Sequence, residues 1–370
     1  MTTTINGSSP SITFSDGSAQ TSATRPFLNR IINGAMTIDQ RNAGASVTNT
    51  GLDVFPVDRW NISGSVASKF TAQQNAGSVT PPTGFVNYLG MTSSSAYTVG
   101  TSELFYVRQK IEGFNVSDLA WGTANAKTVT LSFWVYSSLT GTFGGSLTNG
   151  AADRSYPFTF IINSANTWEY KTVTIAGDTS GTWLKTNGIG LLVFLSLGAG
   201  STYSGTAGAW AGATYTSATG ATSVVGTNGA TFYITGVQLE VGSTATSFDY
   251  LDYGRSLIQC QRYYAKMGTG GYSNYTALAS GVATATNSGN LFVKYPVTMR
   301  ASATIAYSNV AYSYAAGTLT AVSSAGATYA GTDSMLAQPV ATGASMTIGY
   351  ACLLMANNNS AGFIELSAEL

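Results

Sequence analysis

The chain has 370 residues, with sixteen basic and sixteen acidic side chains, so its formal net charge is zero. Only 9% of the residues are charged, 44% are hydrophobic and 42 are glycine, a composition typical of strands and turns. A neutral chain without a basic run offers no electrostatic surface for nucleic acid. No apolar run approaches the ~20 residues of a membrane-spanning helix, and the start lacks the pattern of a signal peptide. We therefore expect neither nucleic-acid binding nor membrane insertion.

The residues that usually carry catalysis are scarce. There is no histidine, which removes the usual general base and the commonest metal ligand. Cys260 and Cys352 are the only cysteines and are expected to be buried free thiols. Asp178, Asp249 and Asp252 have no partner that suggests acid–base work, and such carboxylates are more often turn and cap residues. The sequence therefore predicts no catalytic residue, no metal site and no cofactor.

The first part of the chain divides into an arm and the start of a sheet. Residues 1–28 are polar, contain Gly and Pro, and cannot bury a core alone, so they form a tail or an arm ordered by a partner. The stretch 29–42 is interpreted as a first strand with a turn at Asn33. Asp58 and Arg59 are expected to form a salt bridge at a sheet edge.

Strand patterns follow in the middle of the chain. The segment 128–136 alternates cleanly between apolar and polar positions, and 156–162 with 168–175 is interpreted as a hairpin. The segment 189–197 is apolar on both faces, with Leu192 and Phe194 opposite the core-facing set, so something must cover that second face.

A long loop and a long strand close this central part. Residues 200–229 form a Gly/Ala/Ser/Thr loop, and loops of that length are usually functional or disordered. In the strand 231–241 the apolar phase flips at Gly236, which predicts a β-bulge that keeps the apolar set on the core. Short strands separated by turns favour an all-β jelly-roll sandwich.

Residues 251–264 break the strand pattern and fit one or two helical turns, which places a domain boundary there. The predicted domains are an arm at 1–28, a jelly-roll β-sandwich at 29–252 and a smaller C-terminal β-sandwich at 253–370. Within the last of these, alternating apolar positions run from Leu291 to Met299, from Met346 to Leu354 and from Ile364 to Leu370. The last pattern predicts that the C-terminus is held in a sheet.

Aromatic side chains at polar positions are the best candidates for ligand binding, because sugars present apolar C–H faces and hydroxyl groups that suit such rings. Such side chains occur at two positions of the strand 128–136 and at three positions of the long loop. Trp168 and Tyr170 also share one face of another strand. The candidate glycan-binding residues are Trp134 and Tyr136 on the strand, and Tyr203, Trp210 and Tyr215 in the loop. Trp210 is expected to stand clear of the core, since its Ala and Gly neighbours offer few apolar atoms. The alternative is that these rings pack under loops or at a subunit interface.

Several stretches together resemble a recurring bacteriophage virion module. They are Asn-Arg-Ile-Ile-Asn-Gly-Ala-Met-Thr-Ile-Asp-Gln-Arg-Asn at 29–42, Asp-Arg-Trp at 58–60, Gly-Val-Gln-Leu-Glu-Val-Gly at 236–242, Tyr-Gly at 253–254 with Cys-Gln-Arg-Tyr-Tyr at 260–264, and Leu-Ser-Ala-Glu-Leu at 366–370. The segment 12–21 resembles the short leader of phage fibre proteins.

The resemblance implies a tail fibre or other virion appendage with a carbohydrate-binding jelly roll and a smaller β-sandwich, commonly a homotrimer. We accordingly expect a non-catalytic virion structural protein that is assembled in the host cytoplasm, contacts other virion proteins through its arm and recognises host surface polysaccharide. One alternative is a capsid decoration or cement protein, in which the aromatic rings serve an interface. The other alternative is a polysaccharide depolymerase.

Overall fold

The computed structural model describes residues 28–268, 274–314 and 317–370, together with the backbone of three short strands that precede them. The strands before the helix are β1 (Thr4–Asn6), β2 (Ser11–Thr13), β3 (Ala19–Gln20), β4 (Val47–Thr48), β5 (Val54–Val57), β6 (Trp60–Gly64), β7 (Phe70–Gln74), β8 (Leu89–Ser93), β9 (Leu104–Glu112), β10 (Val129–Ser137), β11 (Gly141–Asn149), β12 (Ser155–Ile162), β13 (Glu169–Ile175), β14 (Ile189–Ala199), β15 (Ser204–Gly205), β16 (Ser217–Ala218) and β17 (Thr231–Val241). Helix α1 (Tyr253–Gln261) is followed by β18 (Tyr264–Met267), β19 (Ala277–Ala285), β20 (Ser288–Lys294), β21 (Thr304–Ser308), β22 (Val310–Tyr314), β23 (Thr318–Ala321), β24 (Ser324–Ala330), β25 (Ser334–Val340), β26 (Ala351–Ala356) and β27 (Phe363–Ser367).

The central part is a jelly-roll sandwich of two six-stranded sheets, which confirms the predicted fold class. The first sheet has the order β13-β10-β17-β8-β7-β4 and the second has the order β12-β11-β14-β9-β6-β5. All the pairings within both sheets are antiparallel. One hydrophobic core fills the space between the sheets and takes residues from almost every strand of both.

Strand β17 carries the predicted bulge. Its register against β10 shifts between Ser132 and Trp134, and Gly236 has a φ of 59°, which a residue with a side chain rarely adopts. Residues before and after this glycine all reach the core: Phe232, Ile234, Val237 and Leu239 are each fully buried. The shift of the apolar positions at Gly236 in the sequence therefore corresponds to a β-bulge in the middle of the first sheet.

The predicted first strand at 29–42 is wrong, because this segment contains no strand, but the turn predicted at Asn33 is present. Asn33 has a φ of 57°. Its side-chain oxygen accepts a hydrogen bond from the backbone N–H of Ile38 at 3.0 Å, and its side-chain nitrogen donates to the carbonyls of Ile38 and Asp58 at 2.8 and 2.9 Å. An Asn side chain that bonds nearby backbone groups competes with a sheet ladder, and here it folds the chain back on itself.

The predicted hairpin at 156–162 and 168–175 is also wrong. Strand β12 lies at the edge of the second sheet and pairs with β11, whereas β13 lies at the edge of the first sheet and pairs with β10. The connection between them crosses from one sheet to the other. Both strands turn apolar side chains towards the shared core, β12 from the second sheet and β13 from the first. The alternation of apolar residues is the same whether two strands pair in one sheet or lie in two facing sheets.

The C-terminal part is a smaller sandwich. A three-stranded sheet, β18-β27-β21, faces a seven-stranded sheet, β23-β22-β26-β19-β20-β25-β24, and the two share a second core. Cys260 and Cys352 are buried free thiols, as expected. The strand predicted from Met346 is shorter than expected: Ile348 and Tyr350 are 63% and 70% exposed, because a turn at Gly349, with a φ of 87°, precedes β26.

A charged contact, here called the junction, joins the two sandwiches. The expected salt bridge between Asp58 and Arg59 is wrong: both side chains are buried and each has another partner. Arg59 pairs with Glu369 from the end of the chain, and its guanidinium stacks 3.6 Å above the ring of Tyr263. Asp58 lies 3.6 Å from Arg41.

The junction has a second ion pair and holds the last residues. Glu112, at the end of β9, accepts hydrogen bonds from the Arg262 guanidinium at 2.6 and 2.9 Å and from the Tyr263 hydroxyl at 2.6 Å. Strand β27 ends at Ser367, and Arg300 donates to the carbonyl oxygens of Ala368 and Glu369 at 2.8 Å each. The end of the chain is thus held beyond its strand by charged side chains.

The predicted arm at 1–28 lies almost wholly outside the described residues. Within it, the backbone strands β1, β2 and β3 pair as a small antiparallel sheet. In the part of the chain that the structure describes, no helix is long and apolar enough to cross a membrane.

Candidate functional site

The two strand residues proposed for ligand binding lie on the outer surface of the first sheet. In β10, Phe133 and Val135 point into the core, so Trp134 and Tyr136 point outward and are half-buried. Trp134 stands opposite Tyr170 of β13, with ring centroids 5.4 Å apart. The antiparallel pairing brings the two rings together, because directly opposed residues share a face of the sheet.

Further rings extend this surface. Tyr136 stacks on Tyr233 of β17 at 5.3 Å and nearly parallel, at 5°, and contacts Trp168 at 5.5 Å. Tyr88 completes the group, 5.2 Å from Tyr233 and 5.4 Å from Trp168. We call the resulting surface the aromatic face, and it consists of Tyr88, Trp134, Tyr136, Trp168, Tyr170 and Tyr233.

Two rings of the aromatic face, Tyr88 and Trp168, are fixed by hydrogen bonds. The Tyr88 hydroxyl donates to the carbonyl of Ala76 at 2.5 Å and accepts from the backbone N–H of Val79 at 2.8 Å. The indole N–H of Trp168 donates to the carbonyl of Thr80 at 2.9 Å. Burial raises the pKa of the Tyr88 phenol, as it does for Tyr233, so both stay neutral at physiological pH. The outermost rings therefore rest on a rigid base.

The exposed part of the aromatic face is apolar and carries no free charge of its own. Tyr170 is 43% exposed, and Trp134, Tyr136 and Trp168 are each half-buried. Glu169 and Lys171, on either side of Tyr170 in β13, pair with each other at 2.5 Å; they stand opposite Val135 and Phe133 and so belong to the other face of the sheet. A surface of this kind can bind the C–H face of an uncharged ring by stacking and offers hydroxyl groups at its edge.

The loop residues lie elsewhere and are packed. The indole of Trp210 contacts Trp121 at 5.3 Å, Trp183 at 5.4 Å and Tyr156 at 5.3 Å, and its N–H donates to the carbonyl of Ala176 at 2.8 Å. The expectation that Trp210 stands clear of the core is therefore wrong. Its partners are distant in sequence, so the small residues beside it gave no sign of them.

The other two loop tyrosines are half-buried. Tyr215 lies against Gly205, where a Cβ atom would approach its ring to 2.2 Å. The backbone carbonyl of Tyr203 accepts a hydrogen bond from the N–H of Thr216 at 2.9 Å. The structure thus brings Trp134 and Tyr136 together with other rings, but it separates both from Tyr203, Trp210 and Tyr215.

The long loop instead walls a groove on the outer surface of the second sheet. The groove has a volume of about 280 Å³ and its floor includes Tyr106, Leu192 and Phe194. Leu192 and Phe194 are the residues predicted to need a cover. Tyr106 and Phe194 meet edge to face at 5.0 Å, and the Arg108 guanidinium lies 4.8 Å above the Tyr106 ring.

The positive charges in this groove are already paired. Arg108 and Lys110 both contact Asp53 at 2.8 Å, and Lys110 also donates to the carbonyl of Leu370 at 2.6 Å. Burial opposes ionisation of Asp53, but the hydrogen bond from Lys110 and the charge of Arg108 outweigh it, so the pKa of the Asp53 carboxyl is lowered. A ligand carboxylate would have to displace Asp53, which makes the groove a weaker candidate than the aromatic face.

The three carboxylates considered for catalysis do not come together. Asp178 is buried and bonded at both oxygens by Arg154, at 2.6 and 2.8 Å. Asp252 is the N-cap of α1 and accepts a hydrogen bond from the N–H of Arg255 at 3.0 Å. Asp249 is half-buried, and its N–H donates to the side chain of Gln238 at 2.8 Å. Among the described residues, no group of three or more Cys, Asp or Glu side chains is placed to hold a metal ion.

Comparisons with known proteins give distant structural similarity. No family model and no curated protein sequence matches the chain. Three of the similar solved structures are the enzymatically active domain of tailspike protein 4 from bacteriophage CBA120 (10% identity, TM-score 0.31, covering 59% of this chain and 22% of that one), a putative sugar-binding protein from Bacteroides thetaiotaomicron (13%, 0.33, 58% and 100%), and the family 11 carbohydrate-binding module from Clostridium thermocellum in complex with a β-1,3-1,4-mixed-linked tetrasaccharide (11%, 0.26, 55% and 98%). At these scores the likeness carries no argument about function.

Proposed function

We propose that the chain is a non-catalytic glycan-binding protein and that the aromatic face is its binding surface. The observation that carries the proposal is the set of half-exposed rings held side by side, with Trp134 and Tyr170 at 5.4 Å and Tyr136 and Trp168 at 5.5 Å. A sugar ring that stacks on one of these indoles gains apolar contact without ordering a flexible side chain, because the rings are already fixed by their neighbours.

The chemistry of the surface favours an uncharged sugar unit. The exposed rings carry no free cation, so nothing on the aromatic face would compensate a desolvated carboxylate or phosphate. The rings belong to neighbouring strands, and strands lie ~4.8 Å apart, so a saccharide chain lying across the sheet contacts more than one ring. Each stacked ring should contribute on the order of 1–3 kcal/mol, the range of an aromatic binding hot spot.

The test is binding of the full chain to an array of immobilised neutral glucans, xylans and bacterial O-polysaccharides. Trp134→Ala and Tyr170→Ala should each weaken binding about tenfold or more, with the unfolding transition retained. Tyr253→Ala is the matched control, since Tyr253 is an exposed tyrosine on α1 and away from the aromatic face. Equal binding by all three variants would refute the proposal, as would release of reducing ends from the bound polysaccharide.

We place this binding activity on a phage virion, in a receptor-binding tail fibre or spike built as a homotrimer, with residues 1–28 docking on the particle. The support for this assignment is the ordered resemblance at 29–42, 58–60, 236–242, 253–254 with 260–264, and 366–370. Antibody labelling of intact particles tests it, because label on the tail favours receptor binding and label on the head favours capsid decoration. If the aromatic face were an interface in a decoration protein, Trp134→Ala would release the chain from particles and leave adsorption of the remaining phage unchanged.

A further inference from the structure

The outer surface of the seven-stranded sheet carries an apolar row that crosses the strands. Directly paired residues share a face of an antiparallel sheet, and the pairings here run without a break from β23 through β22, β26, β19, β20 and β25 to β24. The residues in that order are Leu319, Ser313, Leu353, Ser280, Phe292, Leu336 and Tyr329. We call this set the outward row.

The outward row faces away from the C-terminal core. The alternate positions Leu291, Val293 and Leu354 are fully buried in that core, so their neighbours point to the other side. Phe292, Tyr329 and Leu353 are 57%, 66% and 40% exposed. Single exposed apolar residues are common, but Phe292, Leu336 and Tyr329 stand directly side by side, and only Ser280 separates Leu353 from them. Aligned apolar side chains of this kind mark interaction sites.

This sheet is almost uncharged. Lys294 is the one charged residue in the seven strands, all of which are described. Lys294 is exposed and lies two residues after Phe292, so it is on the outward face, but a single lysine gives little charge complementarity to a nucleic acid, an anionic polysaccharide or a charged protein surface. Interfaces between identical subunits are the class in which an apolar and charge-poor surface is typical.

The edge of the same sheet is open over part of its length. Strand β24 is exposed along almost its whole length. A bulge between Ser324 and Ala327 interrupts its first half, but residues 327–330 pair regularly with β25. The strand contains neither Lys nor Pro, two residues that natural proteins use to prevent edge-to-edge pairing. Its main-chain groups are available to a neighbouring chain on the side away from β25. Tyr329 of the outward row lies on β24 itself, so one partner can cover both the edge and the outward row.

The size of this surface suits a stable contact. Seven strands at ~4.8 Å spacing span roughly 29 Å, and their four to nine residues at ~3.3 Å each give lengths of roughly 13 to 30 Å. The face thus has a projected area on the order of 600 Å², which falls within the ~600–1,000 Å² that each partner contributes to a standard interface.

We infer that the outward row and the β24 edge form a contact surface between copies of this chain. The occupant is another copy of the chain because an identical sheet matches the surface in being apolar and almost uncharged, and because every subunit of a symmetric assembly buries equivalent surfaces. The contact would belong to the homotrimer proposed above. The inference does not depend on glycan binding, since the aromatic face belongs to the other sandwich.

The test is sedimentation of the full chain at micromolar concentration. Phe292→Asp places a carboxylate in the middle of the outward row, and Ser280→Arg adds a charge between Leu353 and Phe292 while leaving every apolar side chain in place. Each should raise the dissociation constant of the assembly at least a hundredfold. Leu52→Asp is the control at an exposed apolar residue of the other sandwich, 74% exposed against 57% for Phe292, and should leave the assembly intact.

Thermal unfolding of each variant shows whether it is folded, and Ser280→Arg keeps the test valid if Phe292→Asp unfolds the sheet. A wild-type chain that is monomeric at these concentrations would overturn the inference. So would a folded Ser280→Arg variant that assembles as tightly as wild type, or a Leu52→Asp variant that dissociates to the same extent as the two others.

Discussion

Replacing Trp210 by alanine tests whether this residue supports the fold or binds ligand. The indole packs on Trp121, Trp183 and Tyr156 and donates a hydrogen bond to Ala176. Because it contacts the sandwich core, its loss should leave a gap that the neighbouring rings cannot close. We expect Trp210→Ala to destabilise the protein and to leave glycan binding at the aromatic face unchanged.

The magnitude follows from the buried area. A buried aromatic side chain removes about 150–250 Å² from water, and the lower figure suits a half-buried indole, giving roughly 4 kcal/mol at ~25 cal/mol per Å². Residual burial in the unfolded chain lowers this figure by roughly 10–40%. The expected loss in the free energy of unfolding is therefore about 3 kcal/mol, near the low end of measured Trp→Ala substitutions in cores.

Urea titration followed by circular dichroism measures this loss, and Trp134→Ala is the internal comparison. Trp134 has one described ring contact, with Tyr170, so its replacement should cost only about 1 kcal/mol while weakening glycan binding. The two tryptophans thus predict opposite patterns of stability and affinity. A Trp210→Ala variant that is as stable as wild type but does not bind glycan would refute this reasoning. The glycan would then bind at the long loop.

Two further predictions concern buried titratable groups. Burial raises the pKa of Asp58 from 3.8 to about 6, so the folded state retains a proton that the unfolded chain has lost, and the free energy of unfolding should fall by about 1 kcal/mol between pH 5 and 7. The chain has no histidine, so no imidazole titrates in this pH range. Urea titrations at pH 5 and pH 7 should show the fall in wild type and no such fall in Asp58→Asn. If the variant shows the same fall as wild type, another group causes it. Cys260 and Cys352 are buried and burial raises both thiol pKa values, so a thiol-reactive reagent should label neither in the folded protein and both in guanidinium; rapid labelling of the native protein would contradict this burial.

Local patterns in the sequence predicted the parts of the fold that depend on local chemistry. The bulge at Gly236 was visible because the phase of the apolar residues flips at a residue that tolerates positive φ. The outward direction of Trp134 and Tyr136 followed from the alternation in β10. The position of Asp252 as a cap also matches its residue type, since Asp is favoured before a helix.

The choice of partner could not be predicted in the same way. Nothing in the alternation of β12 and β13 says which sheet each strand joins, so the hairpin was wrong. The turn at Asn33 was predicted, but its hydrogen bond to the carbonyl of Asp58 was not, and the burial of Trp210 depends on contacts with Trp121 and Trp183. The residues in these contacts are far apart in the sequence, so no local pattern in the sequence indicates which of them meet.

The junction holds the sandwich that carries the aromatic face against the sandwich that carries the outward row. Glu112 and Glu369 pair across it with Arg262 and Arg59, and breaking either pair would leave a buried charge without its partner, which is costly. The two sandwiches should therefore move together. If copies associate through their C-terminal sheets, each assembly carries several aromatic faces at fixed spacing, and a glycan-coated surface can engage them simultaneously. Linked sites raise the overall avidity by ~10²–10⁴ without any new contact, so an individual aromatic face of modest affinity is enough for firm attachment.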